Sequence, residues 1–409
     1  MPPHNPDAPA PVVVPFDPAA RPAPLERIAP GRVLERWGAV DRSAHAPEIV
    51  AVPDGEGEGW AAAALVTARP RTAYAKIVDA VGDVPAAVEA VLAHARGRGL
   101  VQVKWEGWTV GAEDAAALGF VPLETPCGTP EDASRPRTGY VRWLGEGPAE
   151  EPPYYRQSTN FTCGAVTALV AQARAGAVPR ESLDRPAELT LWRDATNFPA
   201  CEPVGLGVAV RRAWPSSPVT VFLDTDRPVM LDSYTGAERE WRAVLQRASR
   251  ADAARAGVPL DPRRLSLEGV RGAISRGECV LLLVCLAAMQ GFDVPHWVLC
   301  HGAVPGAVVI EDPWTNDATG DTWVDAHLLP VSDSALDAMS AMEGDGYRGA
   351  VGIAAPEGGE IAPPPVRPPR ACETFHPGPS GGRRGLRFWE SGDGARHTVS
   401  RSTNSEEGR

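Results

Sequence analysis

Residues 154–176 read YYRQSTNFTCGAVTALVAQARAG, and the second half of this stretch predicts an amphipathic helix that starts at Cys163. Apolar residues follow the cysteine at the spacing of one buried helix face; they are Val166, Leu169, Val170 and Ala173. Gly176 suits the C-terminal end of the helix, and Asn160 or Thr162 could supply the N-cap oxygen. The stretch therefore predicts a core helix with a cysteine in its first turn.

The position of Cys163 points to nucleophilic chemistry. A thiol in the first turn meets free backbone N–H groups and the positive end of the helix dipole, which favour the nucleophilic thiolate. Gly164 removes a side chain from the place where a substrate backbone would approach. The competing interpretation is that Cys163 is a small buried apolar residue.

Gln157 lies six residues before the cysteine, in the loop that leads to the helix. From there its side-chain amide could point at the same oxygen as the backbone N–H of Cys163. Together they would form an oxyanion hole with one side-chain donor and one backbone donor. The alternative is that Gln157 is a solvated loop residue.

Residues 295–314, PHWVLCHGAVPGAVVIEDPW, predict a β-hairpin whose turn contains Pro305-Gly306. A turn centred near residue 304 sets His296 opposite Asp312 at the open end of the hairpin, with Cβ atoms roughly 5 Å apart. The Nδ1–H group of the imidazole could then reach the carboxylate, which would orient the ring as a general base requires. Alternatively, His296 ends a strand and Asp312 starts a turn.

His301, on the same strand, is a second candidate for the base. It lies an odd number of residues from His296, so in a regular strand the two side chains face opposite sides of the sheet. We prefer His296 because His301 has no carboxylate at the paired position.

Taken together, these motifs resemble those of the papain-like cysteine peptidases, and within them the bacteriocin-processing, double-glycine-leader group. The matching elements are Gln157, Cys163-Gly164, His296-Trp297 and Asp312-Pro313. The sequence departs from the group's pattern in having Ala165 after the Cys-Gly pair and Thr162 before it. The resemblance implies an α+β papain-like cysteine peptidase domain over residues 148–355.

The resemblance also implies a function: a cysteine peptidase or amidase that forms a thioester with a peptide or peptide-like substrate, in a setting of bacterial peptide maturation. Cys163 would be the nucleophile, His296 the base, Asp312 the residue that orients it, and Gln157 an oxyanion donor. Two alternatives stay open. One is an acyltransferase or peptide ligase that passes the acyl group to an amine, and the other is a catalytically inactive peptide-binding protein.

The rest of the chain divides into three parts. Residues 26–147 alternate strand-like and helix-like segments and predict a smaller α/β domain. It resembles a GNAT-type acetyltransferase fold, but the stretch DAVGDVPAAVEAV at residues 79–91 lacks the glycine-rich turn that would bind a pyrophosphate. We therefore expect no acetyltransferase activity. Residues 1–25 predict a disordered arm, and residues 356–409 a disordered tail rich in proline and glycine.

The composition narrows the possible partners. The chain has 409 residues and a formal net charge of -12, which argues against binding nucleic acid through phosphate neutralisation. No apolar run is long enough to span a bilayer, and the first residues do not resemble a signal peptide, so we expect a cytoplasmic protein without membrane contact. The seven cysteines form neither a disulfide framework nor a zinc motif, and we predict no metal and no cofactor. The oligomeric state stays open.

Overall fold

A computed structural model describes residues 10–55, 58–128, 136, 138–195 and 199–354 of the protein. Within these residues the chain forms two seven-stranded sheets, each built with its own helices. Their combination of largely antiparallel sheets with helices confirms the predicted α+β class.

The first sheet belongs to an N-terminal region that ends at Trp143. Its elements are β1 (Val12–Pro15), α1 (Ala23–Ile28), α2 (Gly31–Gly38), β2 (Glu48–Pro53), β3 (Trp60–Thr67), β4 (Tyr74–Gly82), α3 (Val84–Gly97), β5 (Gln102–Glu106), α4 (Ala112–Ala117), β6 (Val121–Pro122) and β7 (Gly139–Trp143). The strands lie in the order β1-β2-β3-β4-β5-β7-β6.

In this first sheet only β4 and β5 are parallel neighbours, and α3 crosses over between them. The other neighbouring pairs are antiparallel. The predicted α/β alternation therefore holds for the one crossover from β4 through α3 to β5. Parallel neighbours need a long connection such as this helix, whereas antiparallel neighbours can be joined by a short turn. The region is better described as α+β.

The prediction of a disordered arm over residues 1–25 is wrong for its described part. Residues Val12 to Pro15 pair with β2 as the edge strand of the sheet, and α1 begins at Ala23. Three successive valines favour a strand, and a proline is tolerated at the end of an edge strand. Phe16 is buried against Trp37, with ring centroids 6.1 Å apart. Residues 1–9 and the predicted tail lie outside the described residues.

The second sheet belongs to a C-terminal region whose elements begin with α5 (Cys163–Arg174), α6 (Arg185–Ala195), α7 (Pro203–Ala213), β8 (Val219–Leu223), α8 (Gly236–Ala256), β9 (Leu260–Asp261) and α9 (Leu267–Ser275). They continue with β10 (Cys279–Cys285), α10 (Ala287–Gln290), β11 (Pro295–Val304), β12 (Ala307–Glu311), α11 (Trp323–Ala326), β13 (Leu329–Ser332), α12 (Asp333–Met339) and β14 (Gly349–Ile353).

The strand order is β13-β12-β11-β10-β14-β8-β9, which makes β10 the central strand. Its side chains alternate between two apolar cores. Leu281 and Leu283 pack in the core that contains α5, whereas Val280 and Leu282 pack with residues of α9 and α12. Helix α5 packs on the face of the sheet to which Leu281 and Leu283 point, next to β11, the strand that carries His296.

The two regions meet along an extended contact. The N–H of Ala73, just before β4, donates to the carbonyl of Pro330 in β13 at 2.8 Å, and Thr72 forms an isolated bridge with Val331. Residues 144–162, all described, connect the regions without a helix or strand, apart from a bridge at Tyr155. The proposed boundary near Pro148 falls in this connection. In the described part of the chain, no helix is both long and apolar enough to cross a membrane.

Candidate active site

Cys163 is the first residue of α5, and its side chain is nearly buried. The predicted apolar face is present, with Val166, Leu169 and Val170 in the core. Gly176 follows the helix with a φ of +72°, a left-handed conformation that suits glycine. The helix start therefore matches the sequence interpretation in its position and in its buried face.

The N-cap prediction is wrong in its detail. Thr162 occupies the N-cap position, but its side chain makes no capping hydrogen bond. Its hydroxyl instead donates to the buried carboxylate of Glu188 in α6. Thr162 has φ -98° and ψ 10°, outside the extended conformation that is usual for an N-cap residue. Its hydroxyl therefore lies towards the Glu188 carboxylate, a strong acceptor, and not over the first N–H groups of the helix.

Glu188 organises the loop before Cys163 and was missed in the sequence. Its carboxylate accepts hydrogen bonds from the Ser158 N–H at 2.8 Å and from the Tyr155 hydroxyl at 2.9 Å, besides that from Thr162. One signal could have found it: Glu188 lines up with Leu191 and Ala195 on the buried face of α6. A charged residue at such a position usually has buried partners.

His296 lies at the start of β11. Its Nε2 is 2.8 Å from Asp312 Oδ1, and Cys163 lies near enough for its charge to act on the ring. Burial lowers the pKa of His296, but the charges of Asp312 and Cys163 outweigh burial and raise this pKa to about 10. The imidazolium form is therefore favoured at neutral pH.

The nitrogen assignment from sequence is corrected by this geometry. We expected Nδ1 to face the carboxylate, whereas Nε2 does. A carboxylate only accepts, so Nε2 carries the proton of this hydrogen bond. Nδ1 is then the ring nitrogen that remains for the Cys163 thiol.

The predicted hairpin register is also corrected. The hairpin forms, but Leu299 pairs with Glu311 and Val304 with Ala307, so the strands are shifted from the expected alignment. Asp312 lies one residue beyond the end of β12 rather than opposite His296. The contact between His296 and Asp312 is kept because, on the His296 side of the irregularity, the strands are shifted by two residues from the predicted alignment. A shift of two residues leaves a side chain on the same face of the sheet.

Asp312 is fully buried, and both of its carboxylate oxygens have partners. Oδ1 accepts from His296 and from the Trp314 N–H at 2.9 Å, and Oδ2 accepts from Arg69 Nη1 at 2.6 Å. Burial raises the pKa of Asp312, but the charges of His296 and Arg69 outweigh it, and the pKa lies below its usual value. The carboxylate is thus held ionised beside the histidine. Sequence reasoning missed Arg69.

Gln157 is buried in the loop before α5 rather than solvated. Its Nε2 donates to the Thr159 carbonyl at 2.7 Å, and its backbone N–H donates to the Pro313 carbonyl at 2.8 Å. The second bond ties this loop to the segment that carries Asp312. A primary amide has two N–H donors, so one remains for a ligand.

Gly164 has a packing role besides the one expected. A Cβ atom at this position would lie 3.0 Å from Trp297 Cδ1 and 3.1 Å from Cys201 Cβ. The glycine therefore makes room for the core behind the helix, and its role towards a substrate stays a prediction. Trp297 donates from Nε1 to the Cys201 carbonyl at 2.9 Å, which fixes this packing.

His301 has a carboxylate neighbour, although not one at a paired strand position, so the prediction about the paired position stands. Its Nε2 is 3.0 Å from Glu311 Oε1. The strand is irregular between Cys300 and Gly302, so the expectation for a regular strand does not apply at this residue. Glu311 also contacts His327 Nδ1 at 2.7 Å. His301 therefore belongs to a buried network that is separate from the contacts of His296.

The described residues contain no group of three or more His, Cys, Asp or Glu side chains that could hold a metal ion. At the start of α3, where an acetyltransferase would bind its pyrophosphate, the carboxylate of Asp83 accepts the Ala86 N–H at 3.1 Å. An acidic cap disfavours an anion there. The absence of acetyltransferase activity stays a prediction.

Residues 152–354 match the model of a family described as Peptidase_C39 like family. This match relates the C-terminal region to C39-like peptidases. No curated protein matches the chain.

Three solved structures illustrate what the chain is similar to. A Bacillus anthracis protein described as a C39-like peptidase is 11% identical, with a TM-score of 0.27, and the match covers 51% of this chain and 98% of that one. Ard1 from Thermoplasma volcanium is 18% identical, with a TM-score of 0.23, and the match covers 34% and 99%. The ribosomal-protein-S18-alanine N-acetyltransferase from Escherichia coli is 13% identical, with a TM-score of 0.24, and the match covers 36% and 99%.

Proposed function

We propose that the protein is a cysteine peptidase or amidase that acts on a peptide through a thioester acyl-enzyme. The observation that carries the proposal is the 2.8 Å contact between His296 Nε2 and the buried Asp312 Oδ1, in a ring whose pKa the charge of Cys163 also raises. A nucleophile, a base within hydrogen-bond reach and a buried acid that orients the base are what acyl transfer requires.

In the proposed reaction the Cys163 sulfur attacks the substrate carbonyl carbon while His296 holds the thiol proton. The proton passes to the leaving amine, the C–N bond breaks, and a thioester remains on Cys163. Water then attacks the thioester with His296 as the base, which releases the acid and restores the thiol. Asp312 keeps the ring oriented and stabilises the imidazolium throughout.

The oxyanion of each tetrahedral intermediate would be held by two donors. One is the N–H of Cys163, which has no acceptor within its own helix because it belongs to the first turn. The other is the remaining N–H of Gln157 Nε2, whose first N–H is engaged with Thr159. Donors fixed before the reaction stabilise developing charge without reorganising.

The substrate class rests on the family match and on the sequence resemblance. C39-like peptidases and the double-glycine-leader group suggest a peptide substrate, and a setting of bacterial peptide maturation in the cytoplasm. The electrostatic pairing of Cys163 with His296 favours this function over a peptide-binding protein without chemistry. Hydrolysis and transfer to an amine share every step up to the thioester.

The proposal is tested with Cys163→Ala and the control Cys127→Ser in the full chain. Burial raises the pKa of Cys127 to about 11, so its thiol should react little at neutral pH. We expect Cys163→Ala to lose peptide turnover by on the order of 10⁴-fold or more, and to lose labelling by an acylating probe. Cys127→Ser should keep both.

Labelling that persists in Cys163→Ala would rule out Cys163 as the nucleophile. Adding a small amine to the wild-type reaction separates hydrolysis from acyl transfer. A hydrolase gives only the acid, whereas an amide product would assign the acyltransferase alternative.

A further inference from the structure

The buried arginine beside the triad comes from outside the peptidase-like region. Arg69 follows β3 in the N-terminal region, 243 residues from Asp312 in the chain, and its side chain is fully buried. It lies outside the residues that match the C39-like family, 152–354. The N-terminal region therefore supplies a charged side chain to the surroundings of the candidate active site.

Arg69 is held in place by a second carboxylate. Its Nε donates to Asp321 Oδ1 at 3.0 Å and its Nη2 to Asp321 Oδ2 at 2.6 Å, a two-pronged contact that fixes the guanidinium plane. Asp321 in turn accepts the Asn316 N–H at 3.0 Å. The backbone of Arg69 is also anchored, because the Thr72 hydroxyl donates to its carbonyl at 2.6 Å.

The guanidinium that is fixed in this way contacts the triad through its Nη1 group. Nη1 donates to Asp312 Oδ2 at 2.6 Å, while Oδ1 of the same carboxylate faces His296 Nε2. With Trp314 donating to Oδ1 as well, the carboxylate cannot rotate without losing a hydrogen bond. A lysine could supply the charge but not the planar fork that bridges two carboxylates.

We propose that Arg69 is a positioning residue for the triad, which fixes the Asp312 carboxylate against His296 from the N-terminal region. This inference rests on the proposed function, in which Asp312 orients the base. Arg69 does not touch the nucleophile, and it acts through Asp312.

The charge of Arg69 has a direct consequence for the acid side of the pH profile. Burial alone would raise the pKa of Asp312, and Arg69 is one of the two charges that keep it low. Without Arg69, Asp312 should take up its proton at a higher pH. The imidazolium of His296 then loses the carboxylate that balances its charge, and the Cys163 thiolate loses the imidazolium that stabilises it. The titratable and charged groups around this cluster are His45, Tyr74, Lys76, Lys104, Tyr154, Arg156, Cys163, His296, Glu311, Asp321 and Asp325.

A purely structural role makes a different prediction. Arg69 also neutralises the buried Asp321 and joins the two regions, so its loss could simply lower the amount of folded protein. Cys163 of the unfolded molecules would then react as an ordinary exposed thiol, while the folded molecules would keep the wild-type profile. A change in the shape of the pH profile, measured per folded molecule, distinguishes positioning from stability alone.

The test uses Arg69→Met, Arg69→Lys and the control Arg36→Met in the full chain. Arg36 pairs with the buried Asp79 in the same region, but no contact links it to the triad. The readout is the rate at which iodoacetamide alkylates Cys163 across acidic to alkaline pH, located by peptide mass spectrometry and divided by the folded fraction from circular dichroism.

We expect Arg69→Met to lower the neutral-pH rate by roughly 10- to 100-fold, the size expected from losing one charge-assisted hydrogen bond to Asp312, and to move the acid limb to higher pH. Arg69→Lys should restore part of the rate and most of the acid limb. Arg36→Met should keep the wild-type profile.

A wild-type profile in Arg69→Met would overturn the proposal. If Arg69→Met does not fold, Arg69→Lys provides the test. A wild-type rate and pH profile in Arg69→Lys would show that the planar guanidinium is not needed and would overturn the proposal. A reduced rate per folded molecule in Arg69→Lys would support the proposal. Alkylation needs no peptide turnover, so the outcome stays readable even if the wild-type protein cleaves no peptide, in which case only the proposed function fails.

Discussion

At the scale of single residues, the site depends on how three buried groups divide their hydrogen bonds. Asp312 gives one oxygen to His296 and the other to Arg69, and His296 gives one nitrogen to Asp312. The second ring nitrogen, Nδ1, is thereby left outside the contact with the carboxylate. This division explains why the imidazolium is favoured even though the ring is buried, since burial alone would favour the neutral form.

The raised pKa of His296 predicts where peptide turnover ends at high pH, because the leaving amine takes its proton from the imidazolium. The folded protein should hold the imidazolium up to about pH 10, whereas an ordinary histidine loses its proton near 6.5. The charge pair therefore stabilises the fold fully below 6.5, and this contribution is lost as the pH rises through about 10.

Asp312→Asn tests this expectation. It removes the largest cause that raises the pKa of His296, so the alkaline limit of peptide turnover should move to lower pH, and turnover itself should fall by up to about 10⁴-fold. The control Asp333→Asn breaks a contact with Arg271 outside the triad and should leave the limit unchanged. The same alkaline limit in Asp312→Asn and the wild type would contradict the assignment.

At the scale of elements, two segments behave differently from their composition. The proline- and alanine-rich start of the chain contains an edge strand, β1, because three valines find a partner strand in β2. The hairpin of β11 and β12 carries an irregularity beside His301, which allows that side chain to approach Glu311. In both cases a local pattern was overridden by a pairing partner.

The burial of Phe16 gives a test of the first segment. Phe16→Ala should lower the free energy of unfolding by about 3 kcal/mol, because it leaves a cavity beside Trp37. Val13→Ala, on the exposed side of β1, should change it by less than about 0.5 kcal/mol. The urea midpoint of each variant measures the effect. Equal midpoints for Phe16→Ala and the wild type would indicate that the segment contributes nothing to the fold.

At the scale of the whole molecule, the two regions are joined by a buried polar face. Alternate residues of β4 and β5 are polar, a pattern that normally indicates a solvent-facing side. Here they are buried against residues 320–328 of the C-terminal region. Tyr74 donates to Asp325 Oδ1 at 2.7 Å, and Gln102 donates to the Leu328 carbonyl at 3.1 Å.

Lys104 lies in the middle of this polar face. Its Nζ donates to the Asp325 carbonyl at 3.0 Å and to the His327 carbonyl at 2.6 Å. Burial lowers the pKa of Lys104 to about 7 from its ordinary 10.5, although nearby carboxylates oppose the shift. Between these values the unfolded chain binds the extra proton, so this residue's contribution to stability should rise with pH.

Lys104→Gln tests this contribution. The free energy of unfolding of the wild type, minus that of Lys104→Gln, should increase as the pH rises from about 7 towards 10.5. Arg96→Gln, a change on the exposed side of α3, should give a flat difference over the same range. A flat difference for Lys104→Gln as well would show that burial does not lower the pKa of this lysine in the folded state. Urea unfolding at several pH values is the measurement.

The sequence by itself was sufficient for features that depend on neighbours in the chain. Helix periodicity located α5 and the first-turn position of Cys163, and strand patterns located the hairpin that brings His296 near Asp312. These signals are local, because helix and strand repeats are set by backbone geometry within a few residues.

Only the tertiary structure decided which distant groups complete the site. Arg69 and Glu188 lie far along the chain from Asp312 and Thr162, yet their hydrogen bonds fix the acid and the loop before the nucleophile. The physical reason is that charge pairing in a core depends on which surfaces fold together, and no sequence period records that. The burial of the polar side of β4 and β5 could not be predicted for the same reason. Alternating polar residues indicate which side of a strand is polar, but they do not indicate whether another part of the protein covers that side.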